Sequence, residues 1–369
     1  MNDDKYMELA ISEAKKGYGA VNPNPLVGAV IVKDGSVIGT GYHEKYGAIH
    51  AEPDAINNCT SSPIGANMYV TLEPCCHHGK KPPCTEAILR NGIKHVVIGT
   101  VDPNPIVSGK GVKFLRDNGI KVTIGVLEKE CIELNEVFFH FITTQTPFVV
   151  MKYAMTMDGK IATYTKKSKW ITGEQARNKV HEDRSRYMSI MIGVGTAIAD
   201  DPMLSSRIEN GRQPIRIVCD SHLSLPIDSQ IVQTAKDIHT IIATTCKDKT
   251  KHDLYKHCEV ILVAEREGEV DLKELMSILA KKKIDSILLE GGATLNWSAI
   301  QSNIVNKVQV YIAPKFFGGK DAISPIGGLG IEDPKFAINL TEPKITTLGD
   351  DILIESRIIP LCNGEARGG

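Results

Sequence analysis

Apolar positions recur at helical spacing over residues 3–17, and the segments 26–33 (LVGAVIVK) and 36–42 that follow are of strand length. Between them Asp34-Gly35 is the two-residue signature of a tight hairpin turn. Beyond the hairpin the pattern predicts a helix from about 50 to 58, an apolar strand at 67–72, a helix at 84–91, a strand at 94–100, a helix near 110–118 and a strand at 120–126. Strands alternating with helices imply a mainly parallel sheet sandwiched between helix layers. An irregular Thr-rich stretch, Thr143-Thr144-Gln145-Thr146-Pro147, interrupts the alternation before a new apolar strand opens. The domain boundary is placed there, giving domains over 1–146 and 147–369. The second half alternates again, with strands at 148–155, 189–194, 214–219, 238–244, 259–263, 285–290 and 306–313 and helices near 173–185, 271–282 and 294–302. Both halves therefore read as α/β.

Composition agrees with two domains, because 369 residues exceed what one hydrophobic core usually serves. Lys plus Arg (43) against Asp plus Glu (44) leaves a net charge of -1, so no global basic field points to nucleic acid or an anionic membrane. The N-terminal MNDDKYMELAISEAKKGYG lacks the basic-then-apolar order of a signal peptide, and no run of about 18 apolar residues occurs. The expectation is a cytoplasmic protein acting on a small molecule. Nine cysteines lie unevenly, three of them inside EPCCHHGKKPPC (73–84). In a cytosolic chain such clustering favours metal or catalysis over disulfides. The other six sit singly and read as small buried hydrophobes. The final NGEARGG reads as a frayed tail.

The cysteine cluster has an upstream partner in His50-Ala51-Glu52, followed by Pro53, which a first helical turn tolerates. A catalytic zinc takes three soft or imidazole ligands and keeps a fourth position for water, and His50, Cys75 and Cys84 can supply the three. Glu52 adds what a structural zinc site would not need, a carboxylate able to take a proton from an acidified water and return it to a leaving amine. Zinc deaminases carry H-x-E followed by P-C-x-x-C. Here the second cysteine stands nine positions after Cys75. With a wider loop Cys84 remains the third ligand; without one, Cys76, His77 and His78 are nearer and the run is a generic metal cluster. Pro82-Pro83 favour the wider loop, since they stiffen the approach to Cys84 at the start of a helix, where the dipole favours a thiolate.

His50-Ala-Glu52 combined with PCCHHGKKPPC resembles the deaminase half of the bifunctional riboflavin-biosynthesis deaminase/reductase family. The resemblance implies a cytidine deaminase-like α/β/α sandwich, zinc on His50, Cys75 and Cys84, and Glu52 as the catalytic proton shuttle. It extends through Asn22-Pro-Asn24-Pro, His43, Asp102-Pro-Asn104-Pro and Ser108-Gly-Lys-Gly111. By that likeness Asn24, His43, His77, Lys80, Asp102 and Asn104 surround a pyrimidine ribotide. Taken alone, Asn-Pro and Asp-Pro pairs are common turn formers.

The second half is less legible. No G-x-G-x-x-G follows a strand, and glycines instead mark IGVGTAIADDP (192–202), LLEGGATLNW (288–297) and FFGGKDA (316–322). Gly291-Gly292 before a helix could cradle a pyrophosphate, although tight turns explain such glycines equally well. Lys152 inside an apolar strand is unexpected, because burying an ammonium without an anionic partner is costly. It faces either a site or, on an edge strand, solvent. These segments resemble the reductase half of the same family, which implies a dihydrofolate reductase-like fold and NADPH. Carried over by position, cofactor contacts fall on Ala154, Trp170, Thr196, Asp200, Ser221 and Gly292, Ala293, Thr294, Leu295 and Asn296. Substrate contacts fall on Ser168, Arg184, Leu204, Arg207 and Glu290, and Lys152 matches a lysine needed for reduction. Arg184 and Arg207 suit a sugar phosphate, being planar and permanently charged. A homo-oligomer is the expected assembly. Two other classes remain: a different deaminase with an unrelated C-terminal module, and a non-enzymatic zinc module.

Overall fold

The computed structural model describes residues 3–77, 82–104, 107–209 and 211–359. The chain divides into two compact units, Met1–Gln145 and Thr146–Gly369.

The first unit runs α1 (Asp3–Lys15), β1 (Gly28–Lys33), β2 (Ser36–Tyr42), α2 (Ala51–Asn57), β3 (Asn67–Leu72), α3 (Cys84–Arg90), β4 (His95–Thr100), α4 (Lys110–Asp117), β5 (Lys121–Ile124), α5 (Glu128–Leu134) and α6 (Glu136–Thr144). Its five strands lie in the order β2-β1-β3-β4-β5. The hairpin expected at Asp34-Gly35 is present, Lys33 pairing Ser36 across two residues of positive φ. The sheet is mixed rather than mainly parallel: β1 pairs both β2 and β3 antiparallel, while β3-β4 and β4-β5 are parallel. Its apolar strands are continuous because both faces are covered. Ala29 and Ile31 of β1 pack with Ala51, Ala55, Ile88 and Leu115 from α2, α3 and α4. Val30 and Val32, turned the other way by the strand period, pack with Met7, Ala10 and Cys131 from α1 and α5. The result is an α/β/α sandwich. Gly41 lets α2 lie directly on β2, since a Cβ there would come within 2.2 Å of the Ala55 nitrogen.

Two helices, α5 and α6, occupy the stretch that the sequence pattern leaves without elements. The threonines that suggest irregularity close α6 instead. Thr143 Oγ1 donates to the Phe139 carbonyl at 2.7 Å and Thr144 Oγ1 to that of His140 at 2.8 Å. Hydroxyls bonding back four residues let these β-branched residues finish a helix they would not begin.

The second unit contains β6 (Phe148–Thr156), α7 (Glu174–Arg186), β7 (Ser189–Gly193), α8 (Val194–Asp200), β8 (Ile215–Cys219), α9 (Gln230–Gln233), β9 (Thr240–Thr244), α10 (Lys249–His252), β10 (Glu259–Leu262), β11 (Glu265–Arg266), β12 (Glu269–Val270), α11 (Leu272–Lys281), β13 (Ser286–Leu289), α12 (Ala293–Gln301), β14 (Val305–Ala313), β15 (Lys344–Leu348) and β16 (Asp351–Arg357). Nine strands form one sheet, β10-β9-β8-β7-β13-β6-β14-β16-β15. The pairs from β10 through β14 are parallel and the last two antiparallel. One face packs against α11 and α12 through Leu275, Leu279, Ala299 and Ile300. The other carries Ala197 of α8 and Ile231 of α9. The sequence reading missed the β15-β16 hairpin, although Gly349-Asp350 between two apolar runs is a turn signal. It also read 192–202 as a glycine segment, whereas α8 fills most of it. Lys152 stands on a central strand, because β6 is paired on both sides.

Candidate functional site

In the first unit the chemistry gathers where strands end and helices begin. His50 is the N-cap of α2 and Cys84 the first residue of α3, and Cys75 lies just past β3. The Cys84 backbone N–H points at Cys75 Sγ at 3.4 Å, and Thr85 donates both N–H and hydroxyl to the Cys75 carbonyl at 3.2 and 3.3 Å. His50 Nδ1 is 3.2 Å from Cys84 Sγ and 3.6 Å from Cys75 Sγ, and one ligand atom from each of the three residues falls within a 4.8 Å group. A tetrahedral zinc with bonds of about 2.0 to 2.3 Å sets its ligand atoms roughly 3.6 Å apart. The three donors fit such an ion, and the exposed His50 leaves the site open on one side.

The electrostatics are those of a pair of sulfurs sharing one proton. Cys84 hydrogen-bonds Cys75, and this together with His50 and the backbone N–H outweighs burial and holds the Cys75 thiol down at about 4. Cys84 is pushed up by the same bond and by burial. Glu52, in the first turn of α2, is buried, and burial with the neighbouring Cys75 raises its carboxyl to about 7. A group poised there can both take and give a proton at neutral pH.

Around this cluster Asn24 Nδ2 lies 3.1 Å from His43 Nε2, and His43 Nδ1 lies 2.9 Å from the Ile49 carbonyl. Since a carbonyl only accepts, Nδ1 donates to it and Nε2 accepts from the Asn24 amide N–H. The His43 ring meets that of His50 edge-on at 5.5 Å. Asp102 is buried, and burial raises its carboxyl to about 6 against the hydrogen bond it accepts from the Asn104 N–H at 2.8 Å. His77 is exposed and its charge acts on Asp102. Cys76 is half-buried outside the metal group; Lys80, His78 and the tail at 360–369 lie outside the described residues.

Sequence reasoning passed over Glu73, which holds these loops together. Buried at the end of β3, its carboxylate accepts from the backbone N–H groups of Asp102 (3.3 Å), Gly109 (2.9 Å) and Val112 (3.0 Å). It thereby caps α4, whose N-cap Gly109 has no side chain to do so, and ties the Asp102 loop to the strand that carries Cys75. Gly111 permits the approach, since a Cβ there would come within 2.2 Å of the Pro74 carbonyl. An acidic residue directly after an apolar strand was the available signal.

In the second unit a cavity of about 640 Å³ opens at the carboxyl ends of β6, β7 and β13, where ligands of open α/β sheets bind. Of the residues singled out from sequence, Lys152, Ala154, Ser168, Trp170, Arg184, Thr196, Asp200, Leu204, Arg207 and Glu290 line it. At its floor Glu290 accepts from Arg184 Nε and Nη2 at 2.8 and 2.9 Å and faces Lys152 Nζ at 3.6 Å. Burial alone would raise the Glu290 carboxyl; the two cations overturn that and hold it at about 2. Lys152 also lies 5.6 Å over the Tyr311 ring. Here is the anionic partner that a lysine on a buried strand requires. Arg184, expected on a sugar phosphate, has its fork committed to Glu290 and its Nη1 to the Ser205 carbonyl at 3.3 Å. Arg207 is exposed at the same cavity. Ser168 Oγ donates to Asp200 at 3.1 Å, and Arg177, which the sequence did not single out, stacks at 5.0 Å over Trp170.

The remaining positions stand apart from the cavity lining. Ser221 donates to Glu269 at 2.8 Å, and Asn296 is fully buried with its amide on the Pro325 carbonyl. Leu295 packs into the core, and Thr294 is exposed. Gly292 is the N-cap of α12 without a side-chain cap, and a Cβ on it would come within 2.9 Å of Thr196 Oγ1 at the cavity wall. A bare helix start beside a cavity fits a phosphate-bearing cofactor.

The family described as cytidine and deoxycytidylate deaminase zinc-binding region matches residues 1–100, and the RibD C-terminal domain family matches 147–354. Fold and sites thus define a two-domain enzyme, a zinc-binding deaminase domain followed by a reductase domain. A RibD riboflavin biosynthesis protein of Actinobacillus pleuropneumoniae is 51% identical over 97% of this chain and 96% of its own length. One from Escherichia coli K12 is 37% identical over 96% of this chain and 99% of its own. Among solved structures, a Thermotoga maritima diaminohydroxyphosphoribosylaminopyrimidine deaminase/5-amino-6-(5-phosphoribosylamino)uracil reductase superposes with a TM-score of 0.86 at 37% identity, covering 97% of this chain and 99% of that one. Acinetobacter baumannii RibD gives 0.86 at 33% identity with the same coverage. The chain belongs to the RibD family of riboflavin biosynthesis proteins, and is a bifunctional deaminase and reductase of that pathway.

Proposed function

We propose that the first unit removes the ring amine of 2,5-diamino-6-(5-phosphoribosylamino)pyrimidin-4(3H)-one and that the second reduces the ribosyl side chain of the deaminated product to ribityl with NADPH. The observation that carries the reading is the buried Glu52 beside the His50–Cys75–Cys84 cluster, a proton carrier set against a metal site open on one side. His50, Cys75 and Cys84 hold the zinc, which when bound acidifies a water and so supplies the nucleophile for an aminated ring carbon. Glu52, buried beside the three ligands, takes the proton released there and hands it to the departing amine. Asn24, His43, His77, Lys80, Asp102 and Asn104 contact the ribotide. The Asn24–His43 pair is fixed by hydrogen bonds at both ring nitrogens, so it presents an ordered edge to a heterocycle.

In the reductase unit Ala154, Trp170, Thr196, Asp200, Ser221 and the start of α12 from Gly292 to Asn296 hold NADPH, which when bound supplies a hydride for C1′ of the opened sugar. Within that group Asn296 acts from the core, shaping the helix start through Pro325, and Ser221 must exchange or share its bond to Glu269. Ser168, Arg184, Leu204, Arg207 and Glu290 contact the substrate, and the Arg184–Glu290 pair also forms the floor that aims Lys152. Lys152 supplies a donor to the sugar oxygen that gains charge as the ring opens. The same reading takes the protein as a cytoplasmic homo-oligomer; light scattering on the purified chain tests the assembly. No described helix is long and apolar enough to cross a membrane.

The test offers the diamino ribotide with and without NADPH and follows the products by mass. Exchange of one amine for oxygen without NADPH, then gain of two hydrogens with it, is the expected sequence. A gain of two hydrogens with the amine retained would reverse the order of the halves, and ammonia release with no later reduction would remove the second.

A further inference from the structure

The reductase cavity is lined by an imidazole, that of His181. α7 turns Arg177, His181 and Arg184 onto one face at helical spacing, and all three line the cavity. The two arginines are engaged: Arg177 on Trp170 and the Thr172 carbonyl, Arg184 on Glu290 and the Ser205 carbonyl. The His181 ring meets the Ser205 carbonyl, and its Nδ1 is buried without a hydrogen-bond partner among the described residues. A buried polar atom in that state is unfavourable unless something satisfies it.

The loop carrying Arg207 is tied down on the same turn of α7. Ser206 Oγ donates to the His181 carbonyl at 3.2 Å, and Arg184 Nη1 holds the neighbouring Ser205 carbonyl. Arg207, exposed and without an ion pair among the described residues, therefore stands near the ring. With the Arg184 fork on Glu290, Arg207 and His181 stand beside one another to meet an anion there.

We propose that His181 and Arg207 together hold the phosphate of the ribotide in the reductase cavity, the imidazole taking up a proton as the phosphate arrives. The proposal rests on reading this cavity as the ribotide site. The charged groups facing the ring are Arg184 on its own helix, Arg207 on the loop and Glu290 past β13. Burial first, then the two guanidiniums, lower the proton affinity of the ring below the usual histidine value, while Glu290 and the Ser205 carbonyl oppose them. A phosphate dianion neutralises the guanidinium effect and adds attraction of its own, so the bound state favours imidazolium. Binding is then linked to proton uptake and weakens as pH rises.

The test uses the full-length zinc-loaded protein and the deaminated ribotide, with NADPH oxidation as readout. Above about pH 7 the phosphate is already mostly dianionic, its second pKa being about 6, so any further pH dependence of KM belongs to the protein. The wild-type KM should rise with pH by up to about tenfold per unit. In His181→Gln and His181→Asn it should lie roughly 10- to 100-fold higher and lose that slope, with kcat within about twofold. Calorimetry of the wild-type with ribose 5-phosphate, in two buffers of different ionisation enthalpy, should count proton uptake that ribose alone does not produce. This arm needs no variant and so survives a misfolded one. Unchanged KM and slope in folded variants, a fall in kcat alone, or no proton uptake by wild-type would overturn the assignment of His181. No NADPH oxidation by wild-type with the ribotide would instead sink the reading of the cavity.

Discussion

The two sites of this chain are assembled by opposite means. The deaminase cluster draws its side chains from the ends of short neighbouring elements, and backbone N–H groups hold it: Cys84 N–H on Cys75, three N–H groups on Glu73. The reductase floor draws Lys152, Arg184 and Glu290 from β6, α7 and the end of β13, and side-chain charge holds it. A backbone-held site survives loss of its central charge, because the scaffold does not depend on it. A charge-held site does not, because removing one ion leaves the others buried and unpaired.

The largest effect that contrast predicts is Glu52→Gln. Deamination should fall by about 10²- to 10⁴-fold with zinc content and reduction of the deaminated ribotide unchanged, metal analysis and NADPH oxidation being the checks. Retained deamination would remove Glu52 from the mechanism. Glu290→Gln should instead abolish reduction and also destabilise its unit by about 3 to 5 kcal/mol, read by denaturant unfolding. The acid limb sharpens this prediction. The Glu290 carboxyl sits at about 2 in the folded state, below its ordinary value, so its stabilisation is complete above the unfolded pKa and is lost as pH falls towards 2. Wild-type stability should therefore drop between about pH 5 and 2 on the order of 3 kcal/mol more than that of the variant.

A smaller effect is expected where backbone does the holding. Gly111→Ala drives a Cβ against the Pro74 carbonyl and should cost about 1 to 3 kcal/mol, with weakened zinc retention and unaffected reductase activity. Smallest is Thr85→Val, which removes one hydroxyl bond to the Cys75 carbonyl and should cost about 0.5 to 1.5 kcal/mol by thermal unfolding. If Thr85→Val loosened zinc as much as Gly111→Ala, the N–H groups would not be the main support.

The deaminase site was more legible in the sequence than the reductase site for the same reason. His50, Glu52, Cys75 and Cys84 are of types that chemistry rarely places together by chance, and their spacing reflects short connections between a helix start, a strand end and a second helix start. Lys152 announced itself only as an oddity, because its partner Glu290 is 138 positions away in sequence yet 3.6 Å away in space. His181 and Arg177 announced nothing, since a helix as charged as α7 reads as a solvated face until the loop at 203–208 is folded against it.

By itself the sequence determined the alternation of strands and helices, the hairpin at Asp34-Gly35 and the choice of His50, Cys75 and Cys84 as candidates for a metal site, consequences of local period, turn chemistry and ligand type. The tertiary structure decided the mixed pairing of the first sheet, the helical finish at Thr143 and Thr144, Glu73 as the clasp of the deaminase loops, and the pairing of Arg184 with Glu290. Each of these turns on which groups compete for the same donor or acceptor. That competition exists only once distant segments are brought within hydrogen-bonding distance.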